Sequence, residues 1–185
     1  MMQFIFILIF VVIASAAIAG VSAAPWVPTK PSQRKKFIDS LPMTGKECVV
    51  DLGCGDGSML FGIARRYPGI RAVGVDISVL PLAIGFVRKM IARLQEGTAT
   101  PFPYGNVTLR FANLWTTDVR DVDLVFVFLM EKAYPKLIKK LAVELRDNAR
   151  VAVEVWPLPG IEATETLREE GLLPVYIYTG KQFRT

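Results

Sequence analysis

Val49-Val50-Asp51-Leu52-Gly53-Cys54-Gly55-Asp56-Gly57 is the stretch on which the fold turns. An apolar, β-branched run ends in a carboxylate, and three glycines follow at every second position. Ser58 to Tyr67 then carries the pattern of a helix. A buried strand, a glycine turn and a helix make the opening unit of a parallel α/β sheet. Glycine permits the tight turn and lets a ligand lie against bare backbone. The helix start beyond it offers free N–H groups and positive dipole character.

Elements alternate outward from this unit. Upstream, Ser32 to Leu41 sets Phe37, Ile38 and Leu41 among charges, a short amphipathic helix with Pro31 near its start. Downstream, Pro68-Gly69 stops the first long helix and Arg71 to Val75 forms a second strand. Leu80 to Leu94 is a helix with Ile84, Val87, Ile91 and Leu94 on one face. Gly97 to Asn106 reads as a loop, and Val107 to Phe111 as a third strand. Val122 to Leu129 has the continuous apolar character of a central parallel strand. Tyr134 to Leu145 is a helix with Leu137, Ile138, Leu141 and Leu145 as its inner stripe. Arg150 to Val155 and Val175 to Tyr178 close the series, with a segment of undetermined type around Ala163 to Glu169 between them. The expected architecture is α/β: a Rossmann-like, doubly wound, mainly parallel sheet.

The chain has 185 residues, and its apolar content is concentrated at one end. Residues 4 to 24 carry no charge, and every Lys, Arg, Asp and Glu follows Thr29. About 20 apolar residues in a helix reach across the roughly 30 Å of a hydrocarbon core. Val21-Ser22-Ala23 would also serve as a signal-peptide cleavage site. However, no basic residue precedes the apolar run, whereas Lys30, Arg34, Lys35 and Lys36 follow it closely. That placement favours an uncleaved single-pass anchor with the domain on the cytoplasmic side, or in the matrix of an organelle. The expected division is an anchor over residues 1–24, a connecting segment and helix over 25–45, and one ligand-binding domain over 46–185. The net charge of +5 is partly this local cluster, so no broad basic face for nucleic acid is expected. The two cysteines, Cys48 and Cys54, are too few for a disulfide framework, and the absence of histidine excludes His-based triads and general bases. No metal site is expected.

The glycine turn narrows the ligand. A dinucleotide-binding turn is spaced G-x-G-x-x-G and receives a pyrophosphate. Here the spacing is G-x-G-x-G, and Asp51 and Asp56 flank it. An acidic turn repels pyrophosphate and suits a ligand with a cationic amino-acid part, such as the ammonium and sulfonium of S-adenosylmethionine. The second strand ends in Asp76, followed by Ile77; a carboxylate there accepts two ribose hydroxyls. After the third strand, Asn113 is placed to meet an adenine edge with Leu114 against the ring, although a turn asparagine would look the same. The expected cofactor-binding set is therefore Asp51, Gly53, Cys54, Gly55, Asp56, Gly57, Asp76, Ile77, Asn113 and Leu114.

Together these residues resemble class I S-adenosylmethionine-dependent methyltransferases. Pro25-Trp26-Val27-Pro28-Thr29 ahead of a helix, then VVDLGCGDG, then ANLW, then a helix running into Asp147-Asn148-Ala149-Arg150-Val151, looks like one small protein-lysine N-methyltransferase family. That family includes the enzymes acting on the ATP synthase c-subunit and the adenine nucleotide translocase, and small archaeal protein-lysine methyltransferases are similar. The resemblance implies the seven-strand methyltransferase sheet, S-adenosylmethionine as methyl donor and a protein-lysine substrate, here one associated with a membrane. It departs from the family at Trp26, where Tyr or Phe is more usual, at Asn113, where many relatives have Asp, and at the proline-rich Trp156-Pro157-Leu158-Pro159. Oligomeric state is not legible.

For such chemistry a lysine must first lose a proton at an ordinary pKa of about 10.4. Desolvation in an apolar channel favours the neutral amine without a dedicated base. The channel candidates are Trp26, Val27 and Pro28, with Phe128, Leu129 and Met130 after the fourth strand. Trp26 suits cation–π contact with an alkylammonium, or equally a place at the membrane interface. The Asn/Asp-Pro-Pro-aromatic tetrapeptide usual in enzymes that methylate amide or adenine nitrogens is replaced by Phe128-Leu129-Met130-Glu131. Other readings are a methyltransferase acting on a small lipid-soluble molecule, a nicotinamide-dependent oxidoreductase, and a non-catalytic membrane-bound binding module.

Overall fold

The computed structural model describes residues 2–96 and 104–184. Part of the expected loop, residues 97–103, lies outside them. The elements run α1 (Met2–Ser22), α2 (Pro31–Ser40), β1 (Cys48–Leu52), α3 (Ser58–Arg66), β2 (Arg71–Asp76), α4 (Val79–Glu96), β3 (Val107–Phe111), β4 (Leu124–Val127), α5 (Tyr134–Glu144), β5 (Arg150–Glu154), β6 (Glu165–Leu167) and β7 (Val175–Thr179). Short 3-10 turns precede α5 and follow β7.

The seven strands form one sheet in the order β3-β2-β1-β4-β5-β7-β6. β1 to β5 run parallel, and β7 pairs antiparallel with both β5 and β6. β6 is the segment whose type the sequence left undetermined. Its three residues are exposed or half-buried at the sheet edge, so they carry no alternating apolar signal. β4 is shorter than the apolar run around it: Val122 and Leu129 are buried beyond its ends and belong to loops.

Two apolar layers sandwich the sheet. On one side Leu137, Leu141 and Leu145 of the expected stripe pack under Val50, Val125 and Val151, with Ile138 only partly buried beside them and Leu145 just past the end of α5. On the other, Phe37 and Ile38 of α2 and Leu60 and Ile63 of α3 cover Val49, Leu124 and Ala152, with Phe37 edge-on to Phe126 at 4.9 Å. Leu82 joins α4 to this second layer. The four-residue apolar stripe of α4 faces the other way, because Leu82 and Gly85 make the inward contact.

α2 alters one expectation. Lys36 belongs by sequence to a basic surface cluster, but its side chain points inward, and its Nζ is buried with no hydrogen-bond partner among the described residues. Lys35 pairs with Asp39, and Arg34 donates to the Thr29 carbonyl, so neither is a bare charge.

α1 is long and apolar enough to cross a membrane. Met2–Val11 is exposed at every position, while the final turns pack on the domain. Ala19 and Ala23 are buried. Trp115 Nε1 donates to Ser22 Oγ at 3.0 Å, Lys132 Nζ to the Gly20 carbonyl at 2.7 Å and Met130 N to the Ala23 carbonyl at 3.2 Å. Val79 N also donates to Ser15 Oγ at 3.2 Å, so a chain beginning at Pro25 loses four hydrogen bonds to the domain and a buried turn relative to one beginning at Val12. Melting both in the same mild detergent should show the shorter chain less stable by roughly 1–3 kcal/mol. Equal melting temperatures would mean that the packing of α1 contributes nothing.

Candidate functional site

The site lies at the carboxyl ends of β1, β2 and β4, where the strand order turns back on itself and open α/β sheets bind ligands. Gly53, Gly55 and Gly57 all have positive φ (93°, 54° and 69°), backbone that side-chain-bearing residues rarely adopt. The turn is tied to β2: Gly53 N and Cys54 N donate to the Val75 carbonyl at 2.9 and 3.0 Å. Gly55 N donates to Asp76 Oδ2 at 2.8 Å, and Ser78 N to Asp76 Oδ1 at 2.7 Å. Each Asp76 oxygen keeps a further lone pair for a ligand.

A cavity of about 280 Å³ opens beside this turn. Of the ten expected cofactor-binding residues, nine line it; Gly57 does not, because it starts α3 and packs against Leu109. All six channel candidates line it as well. Trp26 lies directly over the turn, so that a Cβ built on Gly55 would sit 2.4 Å from its Cδ1. Ser58, Met59, Ser78, Phe126 and Trp156 also face the cavity, as do Ala19 and Ser22 of α1 and Ala23 just after it.

The carboxylates divide by environment. Asp56 is paired with Arg88 Nη2 at 2.8 Å and accepts from Ser58 N at 3.1 Å, so its charge is compensated and it builds the turn. Asp51 is buried within the β1 ladder. Its carboxyl is pushed well above the usual range by burial, and then by the nearby charges of Asp76, Glu154 and Asp56. Burial likewise pushes the Cys54 thiol up, which leaves it an unreactive small apolar group.

Sequence reasoning missed Glu154, the last residue of β5. Phe126 pairs in register with both Asp51 and Ala152, so Glu154, two positions past Ala152, projects on the same sheet face as Asp51. It is 1% exposed, neither carboxylate oxygen has a hydrogen-bond partner among the described residues, and burial raises its pKa to about 7. The nearby Gln33 amide is engaged elsewhere, donating to and accepting from the Leu173 backbone at 2.9 Å each. Val155 follows with φ 81°, an outlying backbone for a β-branched residue. Tyr134 OH bridges the Leu129 and Trp156 carbonyls at 3.3 Å each, and Leu158 N donates to Tyr178 OH at 2.7 Å, which together hold that turn. No sequence signal marks these contacts.

Asn113 behaves as a turn residue, its Oδ1 accepting from Trp115 N at 3.0 Å, yet it lines the cavity. Among the described residues no cluster of His, Cys, Asp and Glu is placed to hold a metal ion. An acidic, glycine-walled cavity with a free acceptor on each Asp76 oxygen fits the ribose and the cationic amino-acid part of S-adenosylmethionine.

Comparison with known proteins agrees. A protein-lysine N-methyltransferase of Saccharolobus islandicus is 26% identical over 157 residues, covering 83% of this chain and 92% of that protein. The lysine N-methyltransferase of the ATP synthase c-subunit from Xenopus laevis is 30% identical over 161 residues, 86% of this chain and 65% of that protein, so this chain spans about two thirds of the relative's length. An RNA methyltransferase from Salinibacter ruber, crystallised with S-adenosyl-L-homocysteine, superposes with a TM-score of 0.71 at 22% identity over 83% of this chain and 93% of that one, a likeness of fold. The family model described as ANTKMT methyltransferase domain matches residues 51–165. The expected resemblance holds: the chain belongs to the ANTKMT methyltransferase domain family and is an S-adenosylmethionine-dependent methyltransferase.

Proposed function

We propose that this protein methylates the side-chain nitrogen of a lysine on a membrane-associated protein, working from a membrane position held by α1 with its domain on the cytoplasmic or matrix side. The observation that carries this reading is an acidic floor and an apolar, aromatic mouth in a single cleft. Asp51 and Asp76 form the floor, Phe128 and Leu129 line the wall, and the more exposed Trp26, Met130 and Trp156 form the mouth. Two relatives are named for lysine methylation, which supports the same substrate class.

S-adenosylmethionine, when bound, supplies an electrophilic methyl carbon on a positively charged sulfur. In this assignment Asp76 accepts its ribose hydroxyls, and Gly53 and Gly55 let its amino-acid part approach the backbone. Asp51 faces its positive charge. Ile77 and Leu114 flank the adenine, and Asn113, whose oxygen is held by Trp115, turns its amide N–H groups to the ring edge. Cys54 fills space beneath the turn, while Asp56 and Gly57 maintain it. Trp26, Val27 and Pro28 on one side, with Phe128, Leu129 and Met130 on the other, strip water from the incoming lysine. Desolvation favours the neutral amine, whose proton leaves to solvent before entry. The Trp26 ring packs against the methylene chain of the lysine.

The last turn of α1 also lines the cleft, which favours a small lipid-soluble acceptor as the second reading. Incubating membranes with methyl-labelled S-adenosylmethionine separates the two. Label in methyllysine after acid hydrolysis of protein is expected; label extracted with lipid alone would favour the second reading.

Two substitutions test the floor. Asp76→Ala should weaken S-adenosylmethionine binding by about 1.5–3 kcal/mol, roughly ten- to a hundredfold, without loss of secondary structure. Unchanged affinity by calorimetry would remove the ribose assignment. Glu154→Gln tests the electrostatics. With its folded pKa raised to about 7, Glu154 keeps its proton in the folded state where the unfolded chain has lost it, so its presence lowers stability as pH rises from about 5 to 8. The stability of Glu154→Gln relative to the natural chain should therefore grow across that window, by up to roughly 3 kcal/mol. A pH-independent difference in denaturant midpoints would contradict this.

A further inference from the structure

α4 is apolar on the side that points away from the protein. Its inward contacts come from Leu82 and from Gly85, where a Cβ would sit 2.6 Å from the Asp56 carbonyl. On the opposite side Leu80, Ile84, Val87, Met90, Ile91 and Leu94 lie between 37 and 74% exposed. Helical spacing makes Leu80, Ile84, Val87, Ile91 and Leu94 one continuous stripe down the helix. A monomeric soluble domain rarely exposes an apolar strip of this kind.

What covers it is indicated by its neighbour. Val79 N, at the start of α4, donates to Ser15 Oγ of α1 at 3.2 Å. Ser15 lies about 10 Å along α1 from Ser22, toward the free end, at 1.5 Å per residue. At the Ser22 end sit Trp115, bonded to Ser22, Lys132, bonded to the Gly20 carbonyl, and Lys136, whose Nζ is 4.4 Å from the Trp115 ring centre. Tryptophan beside lysines is the composition of a membrane–water interface. α4 thus meets α1 on the lipid side of that collar. The freely exposed part of α1, Met2–Val11, is about 15 Å long, one leaflet's depth.

We infer that the outer stripe of α4 docks on the phospholipid surface, in the leaflet that α1 enters, so that the domain lies on the membrane beside α1 instead of hanging from a flexible tether. This rests on the reading of α1 as a membrane segment. It places the cleft, whose wall includes the end of α1, next to the bilayer surface, where a lysine of a membrane protein would be presented.

Both native cysteines are buried, so an introduced cysteine is the accessible thiol for labelling. Full-length protein carrying a fluorophore at Val87→Cys, Ile91→Cys, Phe6→Cys or Lys139→Cys would be reconstituted into vesicles of phosphatidylcholine and phosphatidylglycerol. Part of the phospholipid would bear a nitroxide quencher, near the headgroup in one set of vesicles and along the acyl chain in another. Binding of S-adenosylhomocysteine by each labelled protein confirms the fold. The expected result is strong quenching at positions 87, 91 and 6, and none at 139, which is exposed on α5. Quenching at 6 but not at 87 or 91 would overturn the docking of α4 while leaving α1 in the membrane. No quenching at 6 would overturn the membrane reading itself and the docking with it. Energy transfer between labels at 87 on two copies, without lipid quenching, would assign the stripe to self-association and also overturn the proposal.

Discussion

The carboxylate of Asp76 holding the glycine turn is the constraint on which the rest of the site depends. One oxygen receives Gly55 N and the other Ser78 N, so a single side chain ties the turn after β1 to the start of α4. Those bonds form only if the turn follows a left-handed path at Gly53, Gly55 and Gly57, which in turn aims bare backbone at the cavity. Trp26 can lie over Gly55 for the same reason. The parallel register of β1 with β2 and β4 brings Asp51, Asp76 and the loop after Val127 to one end of the sheet. The outer antiparallel strand β7 buttresses β5, whose last residue is Glu154.

Charge is distributed unevenly over that end. Asp56 is neutralised by Arg88, whereas Asp51 and Glu154 form no ion pair among the described residues. In the absence of a cation the ionised form of each is disfavoured by burial, and that of Asp51 also by the charges of Asp76, Glu154 and Asp56. A cofactor that brings positive charge relieves this, and the free energy of relief contributes to its binding. A pyrophosphate would make it worse. The turn therefore discriminates between two cofactor classes by electrostatics on a fold that both classes use.

Much of this was legible in the sequence because the chemistry demands particular residues at particular places. Glycine at every second position and aspartate at the ends of two successive strands rarely coincide in a turn that binds nothing, and the structure gathers them round one cavity. Other features were hidden for physical reasons. Helical periodicity shows that Ile84, Val87, Ile91 and Leu94 share a face, but not whether the face meets the sheet or the outside. Lys36 stands in a basic run that reads as solvated, yet the α2 face that buries Phe37 buries it too. Glu154 looks like an ordinary polar strand end, and its isolation depends on Gln33 being engaged by Leu173 across the fold. The positive φ of Val155 has no composition signature, and the final turns of α1 look no different from the rest of an apolar segment.

Selection of a cationic methyl donor over a pyrophosphate cofactor is the property that the acidic glycine turn must confer. Calorimetric titration of the full-length protein with S-adenosylmethionine and, separately, with NADH measures it. Saturable one-site binding of S-adenosylmethionine is expected, lost on Gly55→Val because the new side chain collides with Trp26, with no heat of binding for NADH. Saturable binding of NADH, or S-adenosylmethionine affinity unaffected by Gly55→Val, would show that the turn does not make this selection.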